Sequence, residues 1–280
     1  MAGTADGSLI RHAARAACLA LLVVARAAAQ PPQQVYVPPP AGPEFLPRFD
    51  FNMNVDSLSP PKDTPAEIAD ERFSWVTHFG GSFDLVDLVV GRAGAIVDYE
   101  AVEGSEYRPF DPNQGNYTLE AFVSARVRTS EVAAIFHHVS RHLSDRPKRE
   151  AIAWNELGAR VLHRFDTEAA TIDLDLEGGH VVQHSFVDYT WLGQADVLIR
   201  HQISPRVGVF GRGRGQLFGV DETVAGRGTQ TGARLEAGVR LSGRGGVMEL
   251  YLGYENRVDA YPFDRVPQHW GLAGLRLLSR

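Results

Sequence analysis

Along most of its length the chain repeats with a period of two. Phe49, Phe51, Met53 and Val55 alternate with Asp50, Asn52, Asn54 and Asp56, and Tyr117, Leu119, Ala121, Val123, Ala125 and Val127 alternate with Thr118, Glu120, Ser124, Arg126 and Arg128. Ile172, Leu174 and Leu176 face away from Asp173, Asp175 and Glu177, and Ala233, Leu235, Ala237, Val239 and Leu241 face away from Arg234, Glu236 and Arg240. Such segments give a strand one apolar and one polar face. Each is near the roughly ten residues that a tilted strand needs to cross a membrane.

Short and long connections take turns between these segments. Residues 91–94, 128–131, 165–168, 204–206 and 242–246 are short; 104–116, 144–150, 183–187, 219–229 and 257–266 are longer. Short turns at one end and long loops at the other mark an outer-membrane barrel. The rule predicts strands near 47–57, 72–90, 94–104, 116–128, 131–143, 150–165, 169–182, 187–203, 206–218, 230–242, 246–257 and 266–279. The expected fold is therefore all-β: an antiparallel transmembrane β-barrel of about twelve strands, within a range of ten to fourteen, with both ends on the periplasmic side. Closure removes the edges that an open sheet of this size would expose. Residues 58–71, with Thr64 before Pro65 and Glu67, are expected to hold a short helix in an external loop.

Composition narrows the class. With 280 residues, 44% of them apolar, 28 Gly, 16 Pro and 1 Cys, the chain is neither disordered, nor collagen-like, nor a disulfide scaffold. A net charge of -6 gives no electrostatic motive for holding a polyanion, so nucleic acid is not expected as a partner. Residues 1–29 read as a secretory signal: Arg11 and Arg15 precede the apolar run Ala16 to Ala25, and Ala27-Ala28-Ala29 offers a cleavage site before Gln30. Cys18 lies inside that segment, and a mature chain without thiols suits an oxidising envelope compartment. Residues 30–47, QPPQQVYVPPPAGPEFLP, are expected to form a disordered leader, and 48–280 the barrel. The expected address is the outer membrane of a Gram-negative-type envelope, with lipid and the barrel assembly machinery as partners and no cofactor or metal.

Parity places Asp173, Asp175, Glu177, Arg200, Arg212, Arg214, Arg234, Glu236, Arg240, Glu249 and Glu255 on the inner face, as ladders of opposed charge. Tyr189, Trp191, Tyr254 and Trp270 fall near strand ends and suit an interfacial girdle. The local histidine cluster is Phe136-His137-His138-Val139-Ser140-Arg141-His142-Leu143. His138, Ser140 and His142 share one face, and a hairpin centred near Pro147 sets His138 opposite Glu156 and Ser140 opposite Trp154. The expectation is a lumenal His, Ser and Glu patch near the outer rim. A serine nucleophile needs a neutral imidazole to take its proton, and the imidazole needs a carboxylate to fix its tautomer and stabilise its charged form. His138 and His142 lie roughly 13 Å apart by strand rise, too far for one zinc without a third element.

His138-Val139-Ser140, with Glu156 on the next strand, resembles the His-x-Ser plus Glu arrangement of the outer-membrane lipid A deacylases, barrels that remove an ester-linked acyl chain. The resemblance implies Ser140 as nucleophile, His138 as base and Glu156 as orienting acid. FHHVSRHLSD is also similar to the His-x-Ser-Ser-His-Leu-Gly-Asp segment of an uncharacterised family of bacterial envelope barrels, which implies a barrel and no activity. Three readings stand. The leading one is a structural barrel, or one that binds or passes a small polar solute, with His138 and His142 as packed lumenal histidines. The alternative is an acyl-ester hydrolase of outer-membrane lipid using Ser140, His138 and Glu156. The third is a soluble periplasmic β-protein.

Overall fold

A computed structural model describes residues 33–61, 70–144 and 150–279. Twelve antiparallel strands close on themselves: β1 (Glu44–Ser59), β2 (Trp75–Asp87), β3 (Arg92–Gly104), β4 (Asp111–Val127), β5 (Ser130–Leu143), β6 (Ile152–Asp166), β7 (Thr171–Ser185), β8 (Tyr189–Gln202), β9 (Val207–Val220), β10 (Gln230–Ser242), β11 (Val247–Arg257) and β12 (Gln268–Leu278). Neighbours in the chain are neighbours in the barrel, and β1 closes it on β12 with Asn52 opposite Leu278 and Ser59 opposite Gly271. A single helical turn, α1 (Glu222–Ala225), sits between β9 and β10 and is capped by the Asp221 carboxylate on the Thr223 amide. The signal segment with Cys18 and the helix expected around Thr64 to Glu67 lie outside the described residues.

The period-two pattern decides which solvent each face meets. Phe49, Leu119, Val123, Leu176, Leu250 and Leu252 point out and are exposed, while Asp56, Asp98, Glu120, Asp173, Asp196 and Glu249 point in and are buried. A soluble protein has the opposite arrangement, because water rewards exposed charge and expels apolar surface. An apolar exterior around a charged interior fits a hydrocarbon surround, and the soluble periplasmic reading is corrected on that ground.

The charged face packs as the parity predicted. Arg92 joins Asp84 and Glu131 at 2.6 and 2.8 Å, and Arg234 joins Glu236, Asp56 and Glu255 at 2.6, 2.7 and 3.0 Å. Arg276 reaches Glu236 and Glu249 at 2.7 and 2.9 Å. Sharing each guanidinium among carboxylates of neighbouring and more distant strands across the lumen spares these groups an uncompensated charge in a dry interior.

The long-loop mouth is stoppered. Between β11 and β12 the chain folds back into the barrel, packing Val258 against Val139, Trp154, Val181, Tyr189 and Phe218, and Ala260 against Phe73, Val76, Val102 and Trp270. Arg141 donates to the carbonyls of Asp259 and Ala260 at 2.6 and 2.8 Å. Tyr189 donates to Asp259 Oδ2 at 2.6 Å. Of the four aromatics expected in a girdle, Trp191 and Tyr254 do face outward, whereas Tyr189 and Trp270 are buried in this stopper.

The proline-rich leader also departs from expectation. Its described part, instead of standing free of the barrel, passes the short-turn rim where Arg126 donates to the Val37 carbonyl at 3.2 Å. Gln34 is buried, and Gln33 donates to the Asp173 carbonyl at 3.4 Å. Prolines deprive residues 33–43 of ladder donors, so they enter the lumen as extended chain without pairing, while Glu44–Pro47 already belong to β1, Glu44 and Phe45 lying opposite Asp87 and Val86 of β2.

Candidate functional site

Strand β5 carries two charged residues, Glu131 and Arg141, on the same parity, and both are buried in the lumen. That parity sends His137 and Val139 inward. His138, Ser140 and His142 therefore point outward, toward lipid, and the expected lumenal patch is corrected. The register moves with it: His137 faces Glu156, His138 faces Asn155 and Ser140 faces Ala153. This is one residue away from the predicted pairing, and in a sheet one residue exchanges the faces. Glu156 is thus excluded from the His138 and Ser140 surface; it lies buried inside, beside His137. The deacylase-like assignment of Glu156 as orienting acid is corrected accordingly.

Asn155 takes that place. His138 Nδ1 lies 2.6 Å from Asn155 Oδ1, and Asn155 Nδ2 donates to Gln183 Oε1 at 2.9 Å. The second bond orients the amide, because the nitrogen end serves Gln183 and the oxygen end must accept from His138. The His138 proton then sits on Nδ1, and Nε2 is left as an acceptor. Gln183 reaches the outer face through a bulge in β7: Glu156 pairs with Val181 but Asn155 pairs with Gln183, so Val182 is the extra residue. Bulges of this kind re-aim one side chain without breaking the barrel.

Ser140 Oγ lies 2.9 Å from His142 Nε2. His142 packs edge-on against Tyr117, with centroids 5.4 Å apart at 85°, and Tyr117 packs against Tyr99 at 5.0 Å. On the other side Ser140 faces Ala153, whose small side chain leaves room beside the hydroxyl. Phe136, Leu119 and Leu157 surround the group and are exposed. Ser140 stands three residues from the end of β5 at the long-loop side. The site is a serine hydrogen-bonded to His142, with His138, its tautomer fixed by Asn155, two residues away on the same outward face.

On the inner surface behind it, single ligand atoms of Glu120, His137 and Glu177 lie within 4.8 Å of one another. Arg160 already binds both carboxylates, donating from Nη2 to Glu120 Oε2 at 2.7 Å and pairing with Glu177, so the cluster is met by a guanidinium and reads as lumenal packing. With Gln33, Gln34, Glu156 and Gln194 it encloses about 40 Å³, room for a few waters.

His138 and Ser140 were visible in the sequence; Asn155 and Gln183 were not. The parity of Glu131 and Arg141, and of Glu156 and Arg160 on β6, held the signal that puts Asn155 outside.

Closed, lipid-facing outside and charged inside, the chain has the fold of an outer-membrane β-barrel. No protein-family model matches the sequence, and no curated protein does. Among solved structures it is similar to outer membrane phospholipase A from Escherichia coli, with a TM-score of 0.48 and 14% identity over 81% of this chain and 92% of that one. It is similar also to the calcium-bound dimer of the Salmonella typhi outer membrane phospholipase, with a TM-score of 0.47 and 14% identity over 82% and 90%. Omp33 of Acinetobacter baumannii gives a TM-score of 0.39 and 8% identity over 83% and 97%.

Proposed function

We propose that the chain is an acyl-ester hydrolase of outer-membrane lipid, with Ser140 as nucleophile, His138 as base and Asn155 as the residue that orients His138. The observation that carries the reading is the relay Gln183 to Asn155 to His138, on the same outward face of β5 as Ser140. Catalysis by a serine needs an imidazole whose free nitrogen is fixed, and Asn155 fixes it. Ser140 neighbours both imidazoles along β5, so rotation about χ1 carries its hydroxyl from His142, its partner at rest, toward His138. Oγ then attacks the ester carbonyl as His138 Nε2 takes the proton. Collapse of the tetrahedral adduct expels the alcohol, which recovers that proton, and water cleaves the acyl-serine by the same path in reverse.

The substrate class follows from position. Ser140 faces outward near the long-loop end of β5, and the exposed Leu119, Phe136 and Leu157 nearby suit the acyl chains of an ester lipid. Passage of a small polar solute has less support, since loop residues, ion pairs and leader occupy the lumen. Mass spectrometry of lipid A and phospholipid from cells with and without the protein tests the proposal. Loss of an acyl mass in the presence of the protein, absent with Ser140→Ala, is the expected result; an unchanged lipid profile with the barrel confirmed in the outer membrane overturns it.

A further inference from the structure

The lumen is electrically divided. Behind the outer site its wall is rich in carboxylates, but at the short-turn end five arginines from five strands, Arg48, Arg200, Arg212, Arg240 and Arg276, converge on a cavity of about 180 Å³, against two acids, Asp50 and Glu249. Most of their neighbouring carboxylates are already committed. Glu249 serves both Arg240 and Arg276, Asp173 serves both Arg164 and Arg200, and Glu236 serves Arg234 and Arg276.

Arg212 is the telling case. Its ion-pair partner is Asp196, at 3.9 Å and beyond hydrogen-bond reach. Asp196 is spent elsewhere, accepting from Arg214 Nε at 2.7 Å and from Gln194 at 2.7 Å. Arg212 Nε and Arg200 Nε are buried without a hydrogen-bond partner, whereas Arg48 Nε lies 3.2 Å from Asp50 Oδ2 and 3.3 Å from Asp84 Oδ2. A guanidinium has five donors and cannot shed its charge, so leaving several of them unmet beside other cations is costly.

We propose that this vestibule is a binding site for a phosphate-type oxyanion, reached from the periplasmic side, with Arg212 as its central ligand and Arg200 and Arg240 completing the clamp. A tetrahedral oxyanion accepts several hydrogen bonds at once, which matches planar forks arriving from different strands, and its charge offsets the local excess of cations. The cavity holds such an ion together with a few waters. Its placement, on the inner surface and away from Ser140, makes the proposal independent of the hydrolase reading.

The test is isothermal titration calorimetry of the refolded full chain in a zwitterionic detergent, with inorganic phosphate and glycerol 3-phosphate in separate arms and sodium chloride at matched ionic strength as the reference. Saturable binding at one site per chain is expected, weakened about tenfold or more by Arg212→Gln and by Arg240→Gln. Binding in the inorganic arm assigns the site to the free ion, and binding in the glycerol phosphate arm alone assigns it to an esterified phosphate. Heat-shifted migration on gels establishes that each variant is folded, and Arg212→Lys, which keeps the charge but not the fork, serves if the glutamine variant does not fold. No heat beyond the chloride reference in either arm, or equal binding by a folded Arg212 variant, overturns the proposal.

Discussion

His138 and Asn155 face each other across β5 and β6 on the outside of the barrel, Nδ1 to Oδ1 at 2.6 Å. The contact joins a ring that accepts protons to an amide that does not ionise, so it fixes a tautomer without adding charge to a lipid-facing surface. A carboxylate in the same position would cost more there, because hydrocarbon solvates an anion poorly.

Variants of the outer site should separate its two imidazoles. Ser140→Ala is expected to abolish acyl release, and His138→Ala to lower it by roughly 10²- to 10⁴-fold, the usual worth of a positioned base. Asn155→Ala acts through His138 and should lower kcat more than it raises KM. If His142→Ala in a micellar ester assay loses as much as His138→Ala while Asn155→Ala loses nothing, the base is His142 and the assignment of His138 fails.

The lipid-facing band can be probed at Leu252, which lies near the middle of β11 and is 70% exposed. Leu252→Arg should destabilise the barrel in bilayers by about 2–4 kcal/mol, as an arginine near the midplane does. Equilibrium unfolding in vesicles measures it; a neutral effect would mean that Leu252 meets water.

Acid should loosen the stopper. Arg227 binds Asp188 and Asp259 with contacts of 2.6 to 2.8 Å. Burial opposes ionisation of Asp188, but hydrogen bonds and charge from Arg227, with the charge of Arg265, prevail and hold its carboxyl below the usual range. A depressed pKa stabilises the folded form above the ordinary carboxylate value of about 4, and the contribution is lost as pH falls through the folded value. Hydrogen exchange over residues 258–266, corrected for intrinsic rates, should be slow near neutrality and rise below about pH 4. Arg227→Gln should be fast at every pH, since removing one partner of a buried pair costs about 3 kcal/mol.

Close packing near the β12 seam gives a fourth expectation. A Cβ on Gly274 would come within 2.3 Å of the Tyr251 ring and 2.4 Å of Asp56 Oδ1, displacing the 2.6 Å hydrogen bond between those two residues. Gly274→Val should therefore cost about 1–3 kcal/mol in urea unfolding, whereas Ala273→Val, on the exposed face of the same strand, should be close to neutral.

Much of this protein is written locally. Alternation of apolar and polar residues every two positions determined twelve strands, their closure and the inward set of charges from Asp173 to Glu255, because the pleat converts sequence parity directly into inside and outside. The same rule, applied to Glu131 and Arg141, assigns His138 and Ser140 to the lipid face. Register is another matter. Which residue of β6 lies beside His138 depends on the connection between the strands and on packing along the whole hairpin, and a slip of one position exchanges Glu156 for Asn155. The bulge at Val182 that brings up Gln183, the entry of Gln34 into the lumen and the burial of Tyr189 and Trp270 under the β11–β12 connection were likewise settled by the closed barrel. Each is a contact between residues far apart in the chain, whose geometry exists only once the sheet has closed.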